Sequence, residues 1–135
     1  MGLALNLHPA LPTIPGIGHD VIPILEQHAE VGATLHEIVE KVDSGMIFHV
    51  ETLPVPSGAS RSWTRQVTQS LCLQMLEWSA QIIRQAPSVR EAREALKRAG
   101  NGAGQQWGNL RRTRRQIANL VEETKRCDPA SPIMQ

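Results

Sequence analysis

Proline and glycine divide this chain before any other property does. Pro9, Pro12, Pro15, Gly16 and Gly18 crowd one short stretch and Pro54, Pro56 and Gly58 another, whereas neither residue occurs between Ala59 and Ala86. Proline locks φ and lacks an amide hydrogen, and glycine loses much backbone freedom in regular structure, so the first part of the chain can hold only short elements. Residues 59–86 are free to form one long helix. Leu3, Leu5 and Leu7 alternate with Ala4, Asn6 and His8, the period of a strand with one apolar face. Ala33–Val39 and Met46–Val50 are two further strand segments, separated by the turn signal Asp43-Ser44-Gly45. Between the first two, Asp20 is placed to cap a short helix running to His28, with Pro23 in its first turn and Gly32 closing it.

From Ser62 the period lengthens. Trp63, Val67, Leu71 and Met75 recur every four residues, and Leu76, Trp78, Ile82 and Ile83 continue the pattern. Their arc of about 220° is wider than a usual apolar stripe and predicts cover on more than one side. Pro87 ends this helix, and Ser88 caps a second that runs to Ala99. After the flexible Gly100–Gly104 segment, a last helix is predicted from Trp107 to Arg126, followed by a frayed tail from Asp128. On it Arg111, Arg112, Arg114 and Arg115 form a basic outer face with Trp107 at its edge, opposite Leu110, Ile117, Leu120 and Val121.

Charge follows the same division. Residues 1–60 hold one base against seven acids, and residues 61–135 hold thirteen bases against six acids, within a net charge of +1. The basic face is therefore expected to be solvated or paired with the acidic half, with an anionic partner as the alternative.

Composition removes several classes of function. At 135 residues and 41% hydrophobic content this is an ordinary single-domain chain. Three Trp, one Phe and no Tyr leave little for stacking on bases, so no nucleic-acid partner is expected. There is no apolar run of eighteen residues and no basic start, so neither a membrane span nor a secretory signal is expected. Cys72 and Cys127 form no CxxC pair, which points to a reducing cytoplasm. The five histidines match no close-set zinc spacing, and no metal is expected. Gly16-Ile17-Gly18 lacks the third glycine of a dinucleotide fingerprint.

Three polar residues stand out by context. Asn6 and His8 share the polar face of an apolar strand, at its end, and Asp43 lies in the turn Val-Asp-Ser-Gly-Met-Ile. An amide, an imidazole and a carboxylate suit acyl transfer to an amine: the amide stabilises an oxyanion and the imidazole moves the amine's proton. The same residues also fit a hydrogen-bonded strand end and an ordinary turn.

Asn6-Leu7-His8-Pro9-Ala10-Leu11-Pro12 resembles the Asn-x-His-Pro segment of formyltransferases that use 10-formyltetrahydrofolate. Gly32-Ala33-Thr34-Leu35-His36 followed by Val42-Asp43-Ser44-Gly45-Met46-Ile47 resembles that family's second motif, in the right order and with a similar separation of His8 from Asp43. The resemblance implies an α/β fold: a partial formyltransferase-like, Rossmann-like sheet remnant in residues 1–86 with a helical carboxyl-terminal extension in 87–135. It implies Asn6, His8 and Asp43 as catalytic residues, with His36 as a structural group. It implies 10-formyltetrahydrofolate as formyl donor, with Pro9, Leu11, Pro12, Val39 and Val42 around its pterin, and an amine-bearing small molecule as acceptor.

The family's catalytic domain has several strands before the Asn-x-His strand, whereas Met1 here stands two residues before it. The expectation is an incomplete sheet, inactive in formyl transfer by itself. Its bare strand edge would call for a homo-oligomer or a complementing chain. The alternative is a non-catalytic interaction module that self-associates, or that binds an anionic partner through its basic helix.

Overall fold

The computed structural model describes residues 2–135. Strands β1 (Leu5–His8), β2 (Glu30–Glu37) and β3 (Ile47–Pro54) form one antiparallel sheet in the order β1-β2-β3. Asn6 lies opposite His36, Leu7 opposite Leu35, and His8 opposite Thr34. Because side chains alternate across a pleat, Leu5, Leu7, Ala33 and Leu35 face one side while Asn6, His8, Thr34 and His36 face the other. The alternation read from residues 3–8 is therefore the division between core and site.

The apolar side is covered by helices. α1 (Ile22–Leu25) lies in the first loop, and α2 (Arg61–Gln85) and α3 (Val89–Ala99) pack on the sheet. Ser60 starts α2 by accepting from the Trp63 amide, and Ser88 starts α3 by accepting from Glu91. Ala33, Leu35, Phe48, Leu71, Met75 and Leu96 form the core, with Leu3, Leu5 and Leu7 packed against it. Phe48 joins them beside a shift of register between Leu35 and His36, where a bulge resets which residues face inward. Burying a side chain of this size contributes about 1.5–3 kcal/mol.

Asn101 and Gly102 pair with part of the outer edge of β3. Asn101 Nδ2 donates to the Val50 carbonyl at 2.9 Å, its Oδ1 accepts from the Val50 amide at 2.7 Å, and the Gly102 amide donates to Phe48. The outer edge of β1 carries no strand among the described residues.

Several local expectations are corrected by tertiary contacts. Gly32 does not end a helix but lies inside β2, where a Cβ would overlap the Glu51 carbonyl and Leu11. Gln27 (φ 53°) takes the left-handed position after α1. Asp20 caps nothing: Val21 precedes α1, and the Asp20 carboxylate accepts from Arg61 and Arg65 at 2.8 and 2.6 Å. Burial pushes that carboxyl up, but the two hydrogen bonds outweigh it and hold it below the usual range. β3 extends to Pro54, four residues beyond the predicted strand. Leu73 and Leu76 on α2 are 66% and 52% exposed, so the wide apolar arc is not covered throughout.

The last helix, α4 (Arg114–Cys127), begins seven residues later than its periodicity predicts. Thr113 and Gln116 form a reciprocal capping box there, which fixes the start. Trp107, Arg111 and Arg112 therefore lie in an irregular segment and share no helical face with Arg114 and Arg115. Ile117 and Leu120 do pack inward, on Ala10, Ile14 and Ile22, while Leu110 is exposed. The tail is not frayed either: it makes a 3₁₀ turn (Pro132–Met134) that buries Ile133.

The two oppositely charged halves pair in part. Besides Asp20 with Arg61 and Arg65, Glu37 meets Arg93 and Glu26 meets Arg112. Among the described residues no helix is long and apolar enough to cross a membrane. Leu96, fully buried, and Leu76, half-exposed, separate core from surface on adjacent helices. Leu96→Ala is expected to lose about 3 kcal/mol and Leu76→Ala well under 1 kcal/mol, measured by urea unfolding.

Candidate active site

The polar face of the sheet meets two loops. The segment Pro9–Val21 leaves the end of β1 and folds back, and the turn between β2 and β3 brings Asp43 beneath it. His8 Nε2 is 2.6 Å from the Ile14 carbonyl oxygen, an acceptor only, so that nitrogen carries the hydrogen. Its Nδ1 then faces Asp43 Oδ2 at 3.4 Å. His36 is oriented the opposite way. Its Nδ1 donates to the Glu37 carbonyl at 3.1 Å, and its Nε2 accepts from Asn6 Nδ2 at 3.2 Å and lies 3.4 Å from Asp43 Oδ1. Asp43 thus stands between two imidazoles, one oxygen towards each.

The backbone holds that carboxylate firmly. Asp43 has φ 47°, a left-handed conformation that Asp tolerates better than most residues. The Gly16 amide donates to Oδ2 at 2.7 Å, and Arg111 Nη2 donates to the Asp43 and Val42 carbonyls at 2.5 and 3.0 Å. Gly45 permits the tight turn, because a Cβ there would overlap the Glu37 carbonyl.

The structure thus brings the three catalytic candidates together. They differ in exposure: Asn6 is open to solvent, whereas His8 and Asp43 are 3% and 7% exposed. His36, read from sequence as a structural group, belongs to the cluster, and its place at the end of Gly-x-Thr-x-His was the available signal. The residues assigned to a pterin do not share one pocket. Pro9 and Leu11 border Ile14 and His19 with no room between them even for a water molecule, Pro12 is buried, and Val39 and Val42 stand exposed.

Trp107 was missed altogether as a site residue. Its ring meets His36 edge-on at 4.8 Å and His8 at 5.7 Å between centroids, and its Nε1 donates to the Gly45 carbonyl at 2.8 Å. More than sixty residues separate it from the turn it covers, and no local pattern marks it. Among the described residues no group of three or more His, Cys, Asp or Glu side chains is arranged to hold a metal ion.

No family model and no curated protein matches this chain. Solved structures do. The N-formyltransferase from Helicobacter canadensis, in complex with folinic acid and dTDP-3-aminofucose, is 26% identical with a TM-score of 0.55, over 58% of this chain and 29% of that one. The fold is formyltransferase-like. The sugar 3N-formyltransferase WlaRD, in the presence of dTDP and 5-N-formyl-THF, gives a TM-score of 0.62 at 19% identity, over 83% of this chain and 37% of that one. A variant of HypX from Aquifex aeolicus gives 0.52 at 21% identity, over 85% and 18%. The chain spans well under half the length of each. The three described strands form an antiparallel sheet flanked by helices, an α/β fold consistent with the partial domain expected from sequence.

Burial pushes the His36 imidazole below its ordinary value near 6.5, against the raising effects of the Glu37 carbonyl and Asp43; His19 is lowered by burial too. The unfolded chain therefore binds more protons than the folded one just below that value. Stability is full above it and falls as pH drops through the window towards the depressed folded values. Thermal unfolding is expected to show Tm falling as pH is lowered from about 7.5 to about 5.5, with a shallower slope in His36→Gln.

Proposed function

We propose that this chain carries the reacting groups of a formyl transfer from 10-formyltetrahydrofolate to an amine. The observation that supports this best is the Asp43 carboxylate between His8 and His36, with Asn6 on the same face of the sheet. In such a transfer a bond forms between the amine nitrogen and the formyl carbon, and the bond from that carbon to the donor nitrogen breaks. The amine loses a proton and the leaving nitrogen gains one.

Each group on this face has a part. Asn6, already held by His36, offers its remaining amide hydrogen to the formyl oxygen as charge develops there. The lone pair on His8 Nδ1 takes the amine's proton, because Nε2 is committed to Ile14. Asp43 faces that same nitrogen and stabilises the charge it acquires. Of the residues assigned to the donor ring, Val39 and Val42 stand exposed on the turn that carries Asp43 and are open to it from solvent. The likeness to a structure that holds folinic acid supports this choice of donor.

Folinic acid titrated calorimetrically onto the chain and onto Trp107→Ala tests the reading. Saturable binding to at least one of them, weakened about tenfold by Asp43→Asn, is expected. No saturation with either, or affinity indifferent to Asp43, would refute it.

A second reading as an assembly module has its own support. The outer edge of β1 has no strand partner among the described residues, and Leu73, Leu76 and Ile83 of α2 are exposed. Further strands added to β1, by a second copy or a complementing chain, would satisfy the edge and complete the site. On this reading the chain sediments as a dimer or larger species at micromolar concentration and Leu73→Lys/Leu76→Lys as a monomer. A parent chain monomeric throughout would count against self-association.

A further inference from the structure

Residues 103–112 cross the site like a strap. They leave β3 at Asn101 and Gly102, which are pinned to Val50 and Phe48, and they end where Thr113 caps α4. Between those points they form no helix or strand. Three of their residues fasten them to the loop that follows β1 and to the turn that carries Asp43. Trp107 Nε1 donates to Gly45, the Gly108 amide donates to the Pro12 carbonyl at 2.9 Å, and Arg111 donates to Val42 and Asp43. The indole lies against both imidazoles, and His8, His36 and Asp43 are all below a tenth exposed.

A site that moves a proton to or from a bound amine has to admit that amine. With the indole in place, Asn6 alone of the four polar groups is exposed. The fastening is of a kind that can be undone. Four of its bonds go to loop carbonyls rather than into a ladder, its Arg112–Glu26 pair is an exposed one, and Ala103, Gly104, Gln105, Gln106, Asn109 and Leu110 are exposed. Gly104 has φ 82° with open space around it, and α4, to which the strap leads, has no fully buried residue.

We propose that residues 103–112 are a closing strap, with Trp107 as the plug that shuts the His8–Asp43–His36 site and local release of the strap as the step that opens it. The proposal concerns access to these side chains and stands whichever donor or acceptor the site takes.

Two measurements on the full chain test it. The first is amide hydrogen exchange of the parent. The Gly108 amide should exchange at least about 100-fold faster than the Thr34 and Leu35 amides of β2, because it opens with the strap and they open only with the fold. Equal protection would mean that the strap leaves only on global unfolding, which overturns the proposal.

The second is diethylpyrocarbonate modification, scored residue by residue by mass spectrometry and normalised to the partly exposed His28. His8 and His36 should react slowly in the parent and about tenfold faster in both Trp107→Ala and Arg111→Ala, with Arg114→Ala unchanged. His8 and His36 reacting in the parent as fast as His28, or staying protected in both variants, would overturn it. The exchange measurement needs no variant, so it decides the question even if a substitution unfolds the chain.

Discussion

The Asp43 carboxylate is the junction on which the polar side of this molecule depends. It receives a hydrogen bond from the Gly16 amide, faces His8 and His36 with its two oxygens, and sits on a left-handed residue whose carbonyl is held by Arg111. A buried carboxylate without a donor would be strongly disfavoured; here the Gly16 amide supplies one, and the imidazoles and Arg111 reach the same residue from other parts of the chain. The loop after β1, the turn after β2 and the segment before α4 therefore have to meet at one place. Core packing sets the sheet, but this junction sets how the loops lie over it.

The opposite orientation of the two imidazoles follows from backbone carbonyls. Ile14 takes the Nε2 hydrogen of His8 and Glu37 takes the Nδ1 hydrogen of His36, so each ring turns its remaining nitrogen to Asp43. Asn6 then finds an acceptor on His36. Two loop carbonyls thus define which nitrogen can accept a proton, a level of detail that no list of candidate residues contains. The fold that carries this geometry is formyltransferase-like, and the chain corresponds to 29% of the Helicobacter canadensis enzyme and 37% of WlaRD.

Much of the site was legible in the sequence because its parts are local. Asn6 and His8 announced themselves as polar residues on one face of a Leu-alternating strand, and Asp43 lay in a motif whose glycine is required by the Glu37 carbonyl. His36 was visible as a residue but not as a participant, since its role comes from lying opposite Asn6 across β1 and β2. Trp107 and Arg111 were misplaced on a helix. Periodicity alone extends a helix as far as the pattern lasts, whereas the Thr113 capping box ended it at Arg114.

Sequence by itself determined the alternation of β1, the span of α2, the span and Ser88 cap of α3, and the two motif segments that carry amide, imidazole and carboxylate. These depend on neighbours within a few residues, so periodicity, proline and glycine placement and capping side chains report them directly. Only the tertiary structure decided that Asp20 pairs with Arg61 and Arg65, that Asn101 pairs with part of the β3 edge, and that Trp107 covers the histidines. Those contacts join residues some forty to a hundred positions apart. Loop carbonyls, a carboxylate and a strand edge take whichever donor the packed chain brings beside them, and no local pattern encodes that choice.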